Sequence, residues 1–431
     1  MTPSARLQAT LELLISIETV PRPADALVSG YFRARRYIGA KDRAAVAATT
    51  YDILRHHARL NWWLEKKKAE QTPRLRLLVY LMLVEKNKAS ELEELFSGKK
   101  FAPEELTESE RKFLGQFKGH TLIHPNMPDT VVGECPEWAA SSLRQRFGRN
   151  FAKECEALLH PAPLDLRVNS LKTTREEALA LLKKNGYAAK ACPLSPLGIR
   201  LFERPSLGQL TLLRDGHVEI QDEGSQLVAL LVDAKPGMRV VDFCAGAGGK
   251  TLALAAPMQN KGRIIACDVH SKRLKRSTER FRRAGFHNIE IKTLSDENDP
   301  WVKRHKNSFD RVLVDAPCSG TGTWRRNPDQ RWRSLGHGLE KLVPLQASIL
   351  ASAARLVNKG GRLIYATCSL LPEENEQQIE AFLAAHPDFQ LVPVETVCAE
   401  LPAIPHTGPY MALTPAEHNT DGFFAAVLER N

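Results

Sequence analysis

The chain has 431 residues, more than one ordinary core accommodates, so several domains are expected. Hydrophobic residues make up 43% and charged residues 26%, which excludes a disordered chain, and no apolar run reaches the roughly 18 residues of a membrane span. The formal net charge of +10 favours polyanionic partners, nucleic acid first, although a generically basic soluble surface has the same balance.

The eight cysteines stand at positions 135, 155, 192, 244, 267, 318, 368 and 398, and none forms a CxxC pair. Neither a zinc ribbon nor a thioredoxin-type motif is expected, and no metal site is read. The first residues, MTPSARLQATLELLISIETV, have only short apolar runs and no small-residue cleavage site behind them. The expectation is a cytoplasmic protein with reduced thiols and no membrane attachment.

Residues 1–123 read as helical. Leu7, Leu11, Leu14 and Ile15 recur at helical spacing, as do Val46, Tyr51, Ile53 and Leu54, then Leu60, Trp63 and Leu64. Basic residues are frequent here (Arg33, Arg35, Arg36, Lys41, Arg43, Lys66, Lys67, Lys68), and a solvated helix face explains them as well as an RNA contact does. The segment from His124 to Cys135 contains Pro125, Pro128 and Gly133 and reads as a linker. Residues 136–215 read as a small α/β domain. Trp138 to Phe147, Glu154 to Leu159 and Glu176 to Lys184 suit helices; Leu164 to Val168 and Ile199 to Leu201 suit strands. Its 13 Lys and Arg against 8 Asp and Glu permit an RNA contact without demanding one.

Residues 216–431 change character. After Ala234-Lys235-Pro236-Gly237, short apolar runs alternate with helical segments: Arg239 to Asp242, Arg263 to Asp268, Ile289 to Leu294, Arg311 to Asp315 and Arg362 to Thr367. Buried parallel strands with crossover helices read this way, which gives a doubly wound α/β domain with its ligand at the carboxyl ends of the strands. Phe389 to Val394 and Phe423 to Leu428 suit added edge strands.

The first of these strands runs into Asp242-Phe-Cys-Ala-Gly-Ala-Gly-Gly-Lys-Thr251. A glycine-rich turn there lets the backbone approach a ligand. A phosphate loop requires Gly where Cys244 stands, and the dinucleotide fingerprint requires Gly where Thr251 stands, so ATP and NAD both lose ground. Asp268 ends the second strand 22 residues after Gly246, placed to accept hydrogen bonds from a ribose diol. A nucleoside cofactor fits both features, with a plain glycine turn and helix cap as the simpler reading. Asp296 follows the third strand and suits an adenine amino group, with Ser295 and Glu297 as competitors.

The fourth strand ends in Asp315-Ala-Pro-Cys-Ser-Gly-Thr-Gly322 and the fifth in Tyr365-Ala-Thr-Cys-Ser-Leu-Leu-Pro-Glu-Glu-Asn-Glu376. Adjacent fourth and fifth strands bring Cys318 and Cys368 to the edge that holds the cofactor loop, although 50 residues separate them. Either thiol taken singly suits a buried core residue. Together, beside a nucleoside cofactor, they suit pyrimidine methylation. A thiolate adding at carbon-6 makes carbon-5 nucleophilic enough to take an electrophilic methyl group. A free thiol has a pKa of about 8.5, so the site must supply positive charge or a helix start. Asp315 is placed to hydrogen-bond the cytosine ring edge.

These motifs resemble the Sun/Fmu (RsmB-like) family of RNA 5-methylcytosine methyltransferases. The resemblance rests on DFCAGAGGKT, ACD, DAPCSGTG and YATCSLLPEENE in order, and extends upstream through Leu166 to Lys172 and Val218 to Gln226. It implies a Rossmann-like methyltransferase domain that moves a methyl group from S-adenosyl-L-methionine to carbon-5 of a cytosine in RNA, 16S ribosomal RNA foremost. It also implies that Cys368 attacks and Cys318 assists product release. Cys244, Ala245, Gly246, Ala247, Gly248, Gly249 and Lys250, with Asp268, Asp296 and Asp315, are implied as the cofactor site, with Lys250 also facing the target base. Ala247 stands where many relatives have Pro, and Ser295-Asp296-Glu297 lacks the usual Gly-Asp context. The N-terminal region is similar to the NusB-like RNA-binding domain of bacterial members, on Arg43 to Leu64, and the chain is read as a monomer. The alternatives are a transfer-RNA substrate, a non-catalytic RNA-binding assembly factor, and a DNA cytosine methyltransferase in which Cys318 attacks.

For RNA contacts, Lys272 to Arg283 carries seven basic residues and one acid on a predicted helix. Better candidates are Lys303 to Lys306, and Arg325, Arg326, Arg331 and Arg333 interleaved with Trp324 and Trp332 just after the Cys318 turn. Arginine with aromatics suits phosphate contact and base stacking, and surface charge over core Trp explains the pattern equally well.

Overall fold

From Pro3 to Ala157 the regular structure is helical, and the helix starts follow from local chemistry. Thr2 caps Pro3–Thr19 by accepting from the Ala5 amide at 3.2 Å, with proline in the first turn, and Thr72 does the same for Pro73–Leu83. Leu11, Leu14, Ile17, Trp63, Leu64, Leu77 and Leu78 form the buried centre. The computed structural model describes residues 1–203, 208, 210–333, 336–397 and 404–431, so Cys398 lies outside the described residues. The chain divides into two units, Met1–Leu159 with Trp324–Gly336, and His160–Thr323 with His337–Asn431.

Two segments of the first unit differ from the sequence reading. The stretch from His124 to Cys135 is packed rather than a tether, with a short helix at Asp129–Val132. Glu134 is fully buried and accepts from the amides of Ala58 (2.7 Å) and Arg59 (3.0 Å), closing the N-terminus of His57–Lys66. The second is the segment after Thr323. Trp324, Arg325 and Arg331 are buried, not RNA-facing. The Arg331 guanidinium donates to the carbonyls of Glu134 (3.1 Å) and Leu158 (2.6 Å) and lies over the Trp324 ring. Asp329 accepts from Ala24 N at 3.0 Å, Arg333 donates to Val20 O at 2.6 Å, and Trp332 stacks on His57. Arg331 and Arg333 are taken up by carbonyls at helix ends.

The second unit begins with a four-stranded antiparallel sheet in the order β2-β3-β1-β4, where β1 is Leu164–Val168, β2 Ala189–Ala191, β3 Gly198–Leu201 and β4 Val218–Ile220. Its two three-residue strands carry too little alternation to be read from the sequence. Arg200 bridges Asp165 (2.7 Å) and Glu223 (3.3 Å), so this buried acidic cluster already holds its cation.

The remainder forms a nine-stranded sheet: β5 Arg239–Asp242, β6 Arg263–Asp268, β7 Ile289–Thr293, β8 Phe309–Asp315, β9 Val357–Thr367, β10 Phe389–Val392, β11 His406–Thr407, β12 Tyr410–Leu413 and β13 Phe423–Arg430. Its order is β11-β12-β13-β9-β8-β5-β6-β7, with β10 on β13. Strands β5 to β9 are parallel and β13 is antiparallel to β9, which is the doubly wound, Rossmann-like arrangement expected. The central strands are near-continuous apolar runs because both faces are covered; Ile264, Ala266, Cys267, Val312, Leu313, Val314, Leu363, Ile364, Tyr365 and Ala366 are all fully buried. Strands β11 and β12 were not expected. The chain turns from β5 toward β6 and β7 on one side and to β8 and β9 on the other, so the carboxyl ends of β5 and β8 frame the crevice at the switch point. Among the described residues, no helix is long and apolar enough to cross a membrane.

Candidate active site

A cavity of about 740 Å³ opens at that switch point, lined by residues following β5, β6, β7, β8 and β9. Cys244, Ala245, Gly246, Ala247, Gly249, Lys250, Asp268, Asp296, Asp315, Cys318 and Cys368 all line it, together with Gln221, Asp242, His270, Arg273 and His337. Ten of the expected cofactor and catalytic positions thus converge with Cys368 on one space.

The glycine turn is shaped by its neighbours. Gly246 N donates to Asp268 Oδ2 at 2.8 Å, and His270 N donates to Oδ1 at 2.7 Å, so Asp268 is fixed at the end of β6 and retains lone pairs toward the cavity. Gly248 does not line the cavity. It has φ +78°, and a Cβ there would meet the Phe281 ring at 2.6 Å. Its role is to let the helix Ser271–Ala284 pack against the turn. Ala247 O accepts from Arg280, which also pairs with Glu219, so two of the basic residues on that helix, Arg280 and Arg283, serve the fold.

Of the three competitors after β7, Ser295 donates to Asp299 and does not line the cavity, whereas Asp296 and Glu297 both line it; Glu297 accepts from Ser348 at 2.6 Å and Asp296 accepts from Asn298 N at 2.7 Å.

One residue that carried no assigned role in the sequence now stands out. Asp242 is fully buried at the end of β5. Thr251 Oγ1 donates to its Oδ2 at 2.7 Å, while Oδ1 has no hydrogen-bond partner among the described residues and the side chain lines the cavity. Burial, reinforced by the nearby Asp315 and Asp268, pushes its carboxyl up to about 7. An orphan carboxylate oxygen on the cavity wall suits a cationic donor such as an α-ammonium group.

At the other end, Lys250 Nζ pairs with Asp315 Oδ2 at 2.6 Å. Burial alone would lower the Lys250 ammonium, but Asp315 and then Cys368 outweigh it and raise it. Cys318 Sγ and Cys368 Sγ lie 3.4 Å apart, both half-buried. The hydrogen bond to Cys368, and then burial, push the Cys318 thiol well up. An ammonium close to Cys368 is the positive charge that a thiolate requires.

The turns that carry the thiols are held by groups the sequence reading passed over. Glu374 is fully buried and accepts from Ser319 N at 2.8 Å and Gln346 Nε2 at 2.9 Å, and from the hydroxyls of Ser319 and Ser369. Gly322 N donates to Cys368 O at 3.0 Å, and a Cβ at Gly322 would stand 2.3 Å from Gly422 O, so only glycine permits this contact.

Comparison with known proteins places this geometry. Residues 229–429 match the family model for 16S rRNA methyltransferase RsmB/F, and residues 135–207 match the ferredoxin-like domain of RsmF/B-like methyltransferases. A probable ribosomal RNA small subunit methyltransferase B of Synechocystis sp. is 37% identical over 297 residues, covering 68% of this chain and 66% of that protein. The ribosomal RNA small subunit methyltransferase B of Pectobacterium atrosepticum is 32% identical over 412 residues, 92% of each chain. Among solved structures, that of PH0851 superposes over 100% of this chain and 99% of its own, with a TM-score of 0.80 at 26% identity. A methyltransferase homologue from Pyrococcus horikoshii covers 72% of this chain and 100% of its own, with a TM-score of 0.61 at 28% identity. The chain thus spans 66% of the length of the Synechocystis protein and 92% of that of the Pectobacterium protein. The chain belongs to the RsmB/F family of 16S rRNA methyltransferases.

Proposed function

We propose that this protein methylates carbon-5 of a cytosine in small-subunit ribosomal RNA, using S-adenosyl-L-methionine and a covalent Cys368 adduct. The observation that carries the reading is the thiol pair, 3.4 Å apart on the wall of a cavity that also offers Asp268, Asp296 and the orphan oxygen of Asp242.

The residues fit the cofactor. Asp268 would hold the ribose diol, Asp296 the adenine edge, and Asp242 the α-ammonium, with Ala245 to Gly249 as the backbone wall. When bound, the cofactor supplies an electrophilic methyl group. The chain's own residues do the rest. Cys368, beside the Lys250 ammonium, adds to carbon-6 of the ring, and the bond leaves carbon-5 nucleophilic. Asp315, tied to Lys250, accepts from the exocyclic amine of the cytosine. Once Cys368 is bonded to carbon-6, Cys318 gives its own proton to solvent; the resulting thiolate takes the carbon-5 proton as the Cys368–carbon bond breaks and Cys368 leaves as thiolate. The target base must be unpaired or extruded to reach the thiols. The exposed cations Lys303, Arg304 and Lys306 are left for phosphates, and the N-terminal helical unit provides further RNA contacts. The protein works as a cytoplasmic monomer without a metal.

The test uses small-subunit ribosomal RNA transcribed with cytosine or 5-azacytosine. Cys318→Ser should remain covalently attached to ordinary RNA, and Cys368→Ser should form no adduct on either. An adduct in Cys368→Ser with none in Cys318→Ser would reverse the roles and point to the DNA-enzyme pattern. Bisulfite sequencing of RNA from cells lacking the protein should show a single missing 5-methylcytosine in 16S RNA; a loss in transfer RNA instead would reassign the substrate.

A further inference from the structure

Each thiol is followed by a serine, and both serines reach the same carboxylate. Glu374 collects four donors: Ser319 N, Ser319 Oγ, Ser369 Oγ and Gln346 Nε2. The two serine hydroxyls also lie 3.2 Å from each other. Ser369 Oγ in turn accepts from Leu371 N at 3.0 Å, so its proton is directed to Glu374. A second layer locks the same turns. Thr321 Oγ1 accepts from Leu370 N at 2.8 Å, Tyr365 donates to Glu374 O at 2.7 Å, and Asn375 bridges Thr367 Oγ1 and Ser369 O. Glu374 itself does not line the cavity.

We propose that Glu374 is a positioning residue for both cysteines: one buried carboxylate sets the separation and aim of Cys318 and Cys368 through Ser319 and Ser369. The inference rests on the cysteine chemistry proposed above. Two strands that are 50 residues apart in sequence carry the two thiols, and β8 and β9 alone fix only their backbone exits. The carboxylate supplies what the strands do not, a shared acceptor joining the residues immediately after each thiol. It is four-fold satisfied, so it is rigid, and an amide cannot replace it. The glutamine of Glu374→Gln can keep its oxygen on Ser319 N and Gln346 Nε2, but it then presents NH₂ to the two serine hydroxyls, which must turn from donating to accepting and so lose the shared acceptor that joins the two turns. A displacement of about 1 Å at a reacting group is enough to cost on the order of 10²-fold in rate.

The arms are separable. Ser369→Ala releases the attacking turn, and Ser319→Ala releases the proton-accepting turn. The experiment measures, on the full chain, methyl transfer to ordinary small-subunit RNA, the rate of adduct formation on 5-fluorocytosine RNA, and adduct remaining on ordinary RNA. Expected results are as follows: Glu374→Gln lowers kcat at least 30-fold while KM for RNA, cofactor Kd and melting temperature stay close to wild type; Ser369→Ala slows adduct formation; Ser319→Ala forms the adduct within threefold of the wild-type rate but accumulates it on ordinary RNA. Wild-type activity in Glu374→Gln overturns the proposal, as does an equal effect of the two serine variants on both steps. If Glu374→Gln fails to fold, the contrast between Ser319→Ala and Ser369→Ala decides. Failure of the underlying chemistry has a different signature, since the wild-type protein itself would then form no adduct.

Discussion

Lys250 Nζ lies 2.6 Å from Asp315 Oδ2, a bond that joins the first turn of the helix Gly249–Met258 to the end of β8. The pair sits between the cofactor end of the cavity and the thiols, so each member faces two tasks: holding the other, and meeting a substrate ring. Lys250→Met should lower kcat on the order of 10²-fold, the usual effect of losing a positioned proton-transfer or charged group. Asp315→Asn should do likewise, and the double variant should be no worse than either alone, because residues acting as one unit are not additive. Because the Lys250 pKa is raised in the fold, its stabilising share is complete below the ordinary lysine value and is lost only as the pH climbs above it. A neutral-pH assay therefore reads the charged pair throughout, and additive losses in the cycle would sink this account.

The central sheet and the positions of the chemistry were legible because they follow from pattern and connection. Val240, Val241, Val312, Leu313 and Val314 form uninterrupted apolar runs, and parallel connectivity then forces Cys318 and Cys368 to one edge. What escaped were features set by contact alone. Nothing about Glu374 in Glu373-Glu374-Asn375-Glu376 shows that it will accept from Ser319 and Ser369. Gly248 belongs to a ligand-like motif, yet its missing side chain serves Phe281. Arg331 and Trp324 have the composition of an RNA contact but are used inside the helical unit, because buried carbonyls of Glu134 and Leu158 need donors. Composition reports the chemistry a residue offers, and burial decides which partner takes it.

Arg331 gives a direct test of that distinction. Truncation to alanine strands the Glu134 and Leu158 carbonyls and leaves a hole under Trp324. Arg331→Ala should destabilise the protein by about 2–4 kcal/mol. It should leave the salt dependence of RNA binding unchanged, since a residue that touches no phosphate releases no counterions. Lys306→Ala, on an exposed residue, should do the reverse: stability within about 0.5 kcal/mol of wild type and a shallower salt slope. Urea melts and titrations at two or more salt concentrations separate the two.

Asp242 predicts a pH signature. Its carboxyl is pushed up to about 7 by burial, so between the ordinary carboxylate value and that pH the folded protein holds a proton that the unfolded chain has released. Stability from this group is thus greatest in acid and falls as pH rises toward 7. Asp242→Asn keeps an acceptor for Thr251 and has nothing to ionise. Relative to wild type it should gain progressively from about pH 4 to 7, by on the order of 4 kcal/mol. The same variant should bind S-adenosyl-L-methionine more weakly, because the orphan oxygen no longer offers a charge to the α-ammonium. Melting curves across pH without cofactor, and calorimetric titration with it, check the two halves; a pH-independent difference would remove the ionisation argument.

Gly248 makes two separable demands, and a pair of substitutions tells them apart. The residue has φ +78°, and an added Cβ would approach the Phe281 ring to 2.6–2.7 Å. Gly248→Ala therefore carries a conformational cost of about 1–3 kcal/mol together with a steric clash against the buried Phe281 ring, which is held in the core and cannot move away cheaply. The turn should distort, and cofactor affinity should fall at least tenfold. Phe281→Leu by itself opens a small cavity at a modest stability cost. Combined with Gly248→Ala, it should recover the Phe281 share of the steric loss and leave the φ share and the 2.9 Å approach to Ser277 Cβ, so the double variant should bind the cofactor better than Gly248→Ala and worse than wild type. Full recovery would mean that packing alone dictates glycine at this position, and no recovery would mean that the backbone angle does.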